Sequence, residues 1–103
     1  MADVLIRIKR AVLQGHYAFS EKARTEMKAD GLTELDVVES ILNAVVIYKK
    51  IRSRSPFRRQ TREYLYVIQS TNLSGLPIYT KGTLVSEAGL ETYYFLVSSK
   101  RAM

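Results

Sequence analysis

The sequence predicts an α+β fold with three helices followed by a four-stranded, mainly antiparallel sheet, with the helices packed on one face. From Ala2 to Gln14 apolar residues recur at the spacing of one helix face, and capping signals mark two further helices before Asn43. After Asn43 four segments are rich in β-branched and aromatic residues, which are typical of strands. The chain has 103 residues, close to a common domain size, so we expect a single domain over residues 1–103.

The first predicted helix is amphipathic and covers about residues 2–14. Its apolar face consists of Val4, Leu5, Ile8, Ala11 and Val12. Its polar face consists of Arg7, Lys9, Arg10 and Gln14. Gly15 ends the helix, because glycine commonly follows the last helical turn. We therefore divide the domain into an N-terminal amphipathic helix, residues 1–14, and a core, residues 15–99.

The second and third helices are predicted from their caps. Ser20 suits the position before a helix, where its side chain accepts a hydrogen bond from the first turn, and Gly31 suits the end. Thr33 and Asp36 have the spacing of a capping box with an aspartate in the acidic position. These signals place the two helices at about residues 21–30 and 34–43.

Four strands are predicted after Asn43, from the segments VVIYKKI, EYLYVIQS, PIYTKGTLVS and LETYYFLVS. The joins between them are short enough for antiparallel hairpins, so we expect a four-stranded meander. In the last strand Thr92 and Tyr94 alternate with Tyr93, Phe95 and Val97. We expect the second set to face the core, which leaves the side of Thr92 and Tyr94 available for another contact.

Positive charge is concentrated in one stretch. The chain carries a net charge of +6, and the fourteen residues from Lys49 to Arg62 contain seven Lys or Arg and no acid. The other 89 residues together therefore carry −1. The seven cations are Lys49, Lys50, Arg52, Arg54, Arg58, Arg59 and Arg62. Such a patch favours contact with RNA phosphates or with an acidic partner, and the alternative is a basic loop that only meets solvent.

The composition excludes several classes of protein. The chain has no Cys and one His, which excludes a disulfide framework, a thiolate metal site and a cysteine nucleophile, and argues against a zinc site. No segment approaches the roughly 18 apolar residues of a membrane span, and no secretory signal is apparent. We therefore expect a cytoplasmic protein with no membrane association, no metal and no other cofactor.

His16 and two cations on the second helix are the candidate catalytic side chains. His16 is the only side chain whose unperturbed pKa lies near neutrality, and a ring close to the helix that Ser20 caps would have a lowered pKa, as a base requires. The alternative is an exposed histidine that has no catalytic function. Lys22 and Arg24 follow on that helix, where they serve a phosphate or form a solvated face. A cationic loop beside a tyrosine-bearing sheet face suits single-stranded RNA.

The order of these residues resembles a family of small bacterial domains of unknown function that neighbours the BrnT and RelE-like toxins. The resemblance rests on His16, on Lys22 or Arg24, on Met27, and on the segments GLTELDVVESI and LETYYF. The family typically has a His at the end of the first strand, basic residues and a Met on the next helix, and a Thr-x-Tyr in the last strand, here Thr92 and Tyr94. It covers about residues 15–97.

The resemblance implies a sheet with helices on one side, similar to metal-independent ribonuclease toxins that a cognate antitoxin neutralises. Such enzymes bind RNA on the concave face of the sheet. Two features depart from the family pattern. The helix before Gly15 is additional, and Tyr79 stands where such chains often place a His.

Our functional hypothesis is a metal-independent endoribonuclease toxin that cleaves single-stranded RNA, with a RelE-like core over residues 15–99. His16 is expected to act as base or acid, and Tyr94 as a hydrogen-bonding or acid partner. The phosphate-holding cations are expected to be Lys22, Arg24, Arg58, Arg59 and Arg62. Expected partners are RNA and a cognate antitoxin, with a homodimer as an open option. The alternative is a non-catalytic RNA-binding or protein-interaction module.

Overall fold

A computed structural model describes residues 3–52, 64–87 and 90–102, with the backbone alone for residues 87 and 90–92. In chain order the elements are α1 (Val4–Leu13), β1 (Tyr17–Phe19), α2 (Glu21–Asp30), α3 (Glu34–Asn43), β2 (Lys49–Arg52), β3 (Tyr64–Thr71), β4 (Pro77–Glu87) and β5 (Leu90–Arg101). The predicted α+β class and the three helices are confirmed. Four predicted RNA-binding residues lie outside the described ranges: Arg54, Arg58, Arg59 and Arg62.

The helices begin and end where their capping residues predict. The Ser20 side chain accepts a hydrogen bond from the Ala23 amide at 3.0 Å, and Gly31 ends α2 with φ at 69°, a left-handed conformation that favours glycine. At α3 the capping box is complete, because the Asp36 amide donates to Thr33 and the Thr33 amide donates to Asp36. One backbone donor of each first turn, the amide of Ala23 in α2 and that of Asp36 in α3, therefore has a side-chain partner.

The sheet has five strands in the order β1-β5-β4-β3-β2 and is mixed. Strands β2 to β5 form the antiparallel meander that the sequence predicts. The prediction of four strands was incomplete. A fifth strand, β1, pairs in parallel with β5 and places Tyr17 opposite Tyr94. Three residues between two helices are too short to show an alternating pattern, so this strand left no signal in the sequence.

The side of β5 that faces away from β4 is covered by two elements. Strand β1 pairs with β5 along Tyr94 to Leu96, and α2 follows the rest of the edge. The carboxylate of Glu26 accepts a hydrogen bond from the Ser99 amide at 3.1 Å. Asp30 accepts one from the Arg101 amide at 2.9 Å. These side chains take the place of a further strand on backbone groups that would otherwise be unpaired.

One hydrophobic core lies between the three helices and one face of the sheet. The helices contribute Leu5, Ile8, Val12, Ala23, Met27, Val37 and Ile41, and the strands contribute Tyr66, Ile68, Ile78, Tyr94 and Leu96. No helix in the described part of the chain has the length and apolar character needed to cross a membrane.

The expected assignment of faces in β5 was wrong. Tyr94 and Leu96 are buried, with 0% and 1% of their surface exposed, whereas Tyr93 and Phe95 are half-buried. Both faces of this strand carry large apolar side chains, so alternation shows that two faces exist but not which one is covered. A nearby position on β4 makes this possible. Gly82, which pairs with Leu96, leaves room for the Tyr94 ring, because a Cβ at Gly82 would lie 2.6 Å from Cζ of Tyr94.

Candidate nucleic-acid interface and cleft

The face of the sheet turned away from the helices carries lysine and aromatic side chains, and we call it the second face. Strand register and alternation assign to it Lys49, Ile51, Leu65, Val67, Gln69, Tyr79, Lys81, Thr83, Val85, Tyr93, Phe95 and Lys100. None of these residues belongs to the helix-packed core. Among these described side chains there are three lysines and no acid. An acid does lie near the face, because partial burial and the carboxylate of Glu26 on α2 together raise the pKa of Tyr79.

The aromatic rings of the second face are held by specific contacts. The rings of Tyr93 and Phe95 meet edge to face, with 6.4 Å between their centroids. The Lys100 ammonium lies 5.3 Å from the centroid of Tyr79. Rings and ammonium groups on one surface are the combination that binds bases by stacking and phosphates by charge.

A small cleft of about 70 Å³ lies at the corner of the sheet where β1 begins and α1 ends. It is lined by Arg7, Arg10, Ala11, Gln14, His16, Leu84 and Tyr93. Among the residues whose side chains are described, the lining includes two arginines and the histidine, and no carboxylate. Tyr93 belongs to both the cleft and the second face, so the two surfaces are continuous. The cleft is smaller than a typical pocket for an organic ligand, roughly 300–1,000 Å³.

The backbone of His16 is fixed on two sides. Its amide donates a hydrogen bond to the Ala11 carbonyl at 2.8 Å, and its carbonyl accepts one from the Tyr94 amide at 2.9 Å. The histidine therefore joins the end of α1 to β5, with an exposed side chain. It does not adjoin the N-terminus of α2, because the three extended residues of β1 lie between it and Ser20, four residue steps of roughly 13 Å in all.

Lys22 and Arg24 do not line the cleft that contains His16. Lys22 is exposed on α2. The Arg24 guanidinium lies 5.4 Å from the centroid of the Phe19 ring and 3.7 Å from a carboxylate oxygen of Glu34. Arg24 thus joins β1 to the first turn of α3 at an exposed site, where such an ion pair contributes little to stability.

Tyr94 is enclosed by the core. Its hydroxyl lies 3.5 Å from the Tyr66 carbonyl oxygen, beneath the helices. Burial raises the pKa of Tyr94 well above its ordinary value, because the phenolate would have to form away from water. The structure therefore does not bring the Tyr94 hydroxyl to the cleft, although the Tyr94 backbone adjoins His16.

Sequence reasoning overlooked three side chains of the cleft. Arg7 and Arg10 appeared only as the polar face of a helix, but together with Gln14 they have the spacing of one helical stripe directed toward Gly15 and His16. That spacing is a signal from which the grouping could have been inferred. Tyr93 was missed because the faces of β5 were exchanged.

The described part of the basic stretch forms the opposite edge of the sheet. Lys49, Lys50 and Arg52 lie in β2 and are exposed. The Lys50 ammonium lies 4.2 Å from the centroid of the Tyr64 ring. Four strand spacings, roughly 19 Å, separate β2 from β1 and the histidine. The second face extends between these two cationic regions.

The described residues contain no candidate metal centre. Within residues 3–52, 64–87 and 90–102 no group of three or more His, Asp or Glu side chains is arranged to hold a metal ion. Comparison of the chain with protein-family models, with curated proteins and with solved structures finds no match.

Proposed function

We propose that the protein is a metal-independent endoribonuclease that cleaves single-stranded RNA, as the toxin of a toxin–antitoxin pair. One observation carries the proposal: the single histidine lies in a cleft with two arginines, and Tyr93 makes this cleft continuous with a lysine-bearing aromatic face. A phosphate suits such a cleft, and unpaired bases suit the adjoining face.

The proposed reaction is attack by a ribose 2′-hydroxyl on the adjacent phosphate. The O2′–P bond forms, the P–O5′ bond breaks, and the products are a 2′,3′-cyclic phosphate and a 5′-hydroxyl. A base must take the proton of the 2′-hydroxyl, and an acid must protonate the leaving oxygen. His16 exchanges one of these protons, and Arg7 and Arg10 stabilise the charge that develops on the phosphate oxygens.

Two of the sequence-based roles pass to other residues in this proposal. Arg7 and Arg10 replace Lys22 and Arg24 as the cations at the reacting phosphate, because they line the cleft with His16. Tyr93 replaces Tyr94 as the hydrogen-bonding partner, because it lines the cleft whereas the Tyr94 hydroxyl is buried. Lys49, Lys50 and Arg52 keep their expected role as contacts to phosphates further along the strand.

A non-catalytic RNA-binding module is the second candidate, and the composition of the cleft favours it. Among the described lining residues His16 is the one imidazole and no carboxylate accompanies it, whereas the reaction needs both a base and an acid. A binding module would use the same charge and the same rings. It would retain RNA without cutting it.

The experiment compares an end-labelled single-stranded RNA with DNA of the same sequence, in EDTA. We expect both to shift on a native gel, with affinity that falls steeply as salt rises, because phosphate contacts release counterions. Only the RNA is expected to be cut, because DNA lacks the attacking 2′-hydroxyl. Cleavage of the DNA would exclude the proposed chemistry, and intact RNA that still binds would favour the binding module.

A further inference from the structure

Three large apolar side chains are exposed in the linker between α3 and β2, and we call them the ridge. Val45 has 92% of its surface exposed, Val46 64% and Tyr48 65%. Isolated exposed apolar residues are ordinary on protein surfaces. Three within four positions concentrate exposed apolar side chains in one short segment, which is typical of a contact site.

The backbone holds the ridge in place. Ala44 is buried, and its carbonyl accepts a hydrogen bond from the Lys9 ammonium of α1. Ile47 is partly buried against the core, and the Tyr48 amide donates to the Val67 carbonyl at 2.9 Å. Residues on both sides of Val45 and Val46 are therefore anchored. The exposed side chains are presented by a fixed segment of chain.

The ridge leads into β2, the strand at one edge of the sheet. β2 pairs with β3 on one side, and no other strand among the described residues pairs with its outer edge. Lys49, Lys50 and Arg52 are exposed in this strand, which contains no acid. The edge therefore combines backbone pairing groups with positive charge.

We propose that the outer edge of β2 and the ridge bind an acidic, extended segment of a second protein, which adds to the sheet as a further strand. Backbone amides and carbonyls of an edge strand pair with another polypeptide backbone, which RNA does not have. Val45 and Val46 offer no ring for a base to stack on, but they suit apolar side chains. The proposal needs neither His16 nor the cleft, but it shares Lys50 and Arg52 with the phosphate contacts of the proposed function.

The faces of β2 indicate the side-chain pattern of the added strand. Lys50 and Arg52 lie on the face of the helices, whereas Lys49 and Ile51 lie on the second face. Acidic residues at alternate positions would meet Lys50 and Arg52, and apolar residues between them would meet Ile51. Opposite charges across neighbouring strands are favourable pairs. The partner segment therefore alternates acidic and apolar residues.

The test uses a fluorescein-labelled peptide of alternating Val and Glu, with fluorescence anisotropy as the readout. We expect the peptide to bind and an otherwise identical peptide with N-methylated backbone amides not to bind. Val46→Ser and Lys50→Glu are each expected to weaken binding by about tenfold. Leu13→Ser, at an exposed apolar site on α1, is the matched control and is expected to leave binding unchanged.

Circular dichroism of each variant shows whether it folds, so weakened binding is interpreted only for folded protein. Absence of binding by the unmodified peptide would overturn the proposal. Equal binding of the N-methylated peptide would also overturn it, because strand addition requires those amides. If single-stranded RNA displaces the peptide, and Val46→Ser weakens RNA binding equally, the surface binds RNA and the proposal is wrong.

Discussion

At the scale of single residues, Gly82 and Tyr94 fit closely against each other. The ring of Tyr94 lies over the position where any other residue at 82 would place a Cβ. That Cβ would also lie 2.8 Å from the Phe95 carbonyl oxygen, which cannot move without disturbing the pairing of β4 with β5. The glycine therefore allows a large aromatic side chain to fill the core beneath the helices.

We predict that Gly82→Ala destabilises the protein by about 1–3 kcal/mol, because the added methyl group overpacks this site. Chemical denaturation measures the loss. The same change in a Tyr94→Leu background is expected to cost less, since the smaller side chain leaves room. Equal losses in the two backgrounds would show that the Tyr94 ring is not the obstacle.

Tyr93 lines the cleft, whereas the sequence analysis expected Tyr94 to be available there. This difference shows why the candidate site could be predicted only in part. The sequence identified His16, but adjacent tyrosines give the same alternation whichever one is covered. The choice depends on Gly82, a residue of another strand whose partner in the sheet is a matter of register. No local pattern around residue 94 contains that information.

At the scale of elements, α3 is fixed to the turn between β3 and β4 by Asp36. Its carboxylate accepts hydrogen bonds from the Thr33 amide at 2.9 Å and from the Asn72 side chain at 3.1 Å. Asn72 in turn accepts hydrogen bonds from the amides of Ser74 and Leu76, so it also closes the turn. The capping signal was visible in the sequence, whereas the contact with Asn72 joins residues 36 positions apart and was not.

These hydrogen bonds predict a pH dependence of stability. The Thr33 amide, followed by the Asn72 side chain, holds the pKa of Asp36 below its ordinary value of 3.8, although partial burial acts in the opposite direction. A carboxyl whose pKa is lowered by folding stabilises the protein above its unfolded pKa. That stability is lost as the pH falls through the folded pKa.

We predict that Asp36→Asn lowers the free energy of unfolding by about 0.5 kcal/mol near neutral pH, the small effect of a charge at an exposed helix N-terminus. Denaturation at several pH values measures the difference. It is expected to disappear well below pH 3.8, where Asp36 itself is protonated. A difference that stays constant down to that pH would exclude the charge as its cause.

At the scale of the whole molecule, the charge pattern predicts a class of partner, RNA or an acidic protein. It does not reveal all the residues of the candidate binding surface. The basic stretch was evident in the sequence, and its described part forms one edge of the sheet. The cations nearest His16 come from α1, which was expected to lie outside the functional core. Helix packing brings them there. Leu5, Ile8 and Val12 hold α1 in the core. Arg7 and Arg10 then lie at the corner of the sheet that contains His16.

The measurement that tests the central claim most directly is the rate of RNA cleavage in EDTA by purified His16→Ala and Tyr94→Phe. We predict that His16→Ala lowers the rate by about 10²–10⁴-fold, the usual contribution of a general acid or base. Tyr94→Phe, which alters only a buried hydroxyl, is expected to cleave at the unaltered rate and to leave cyclic-phosphate ends. Full activity in His16→Ala, or no cleavage by the unaltered protein, would contradict the claim.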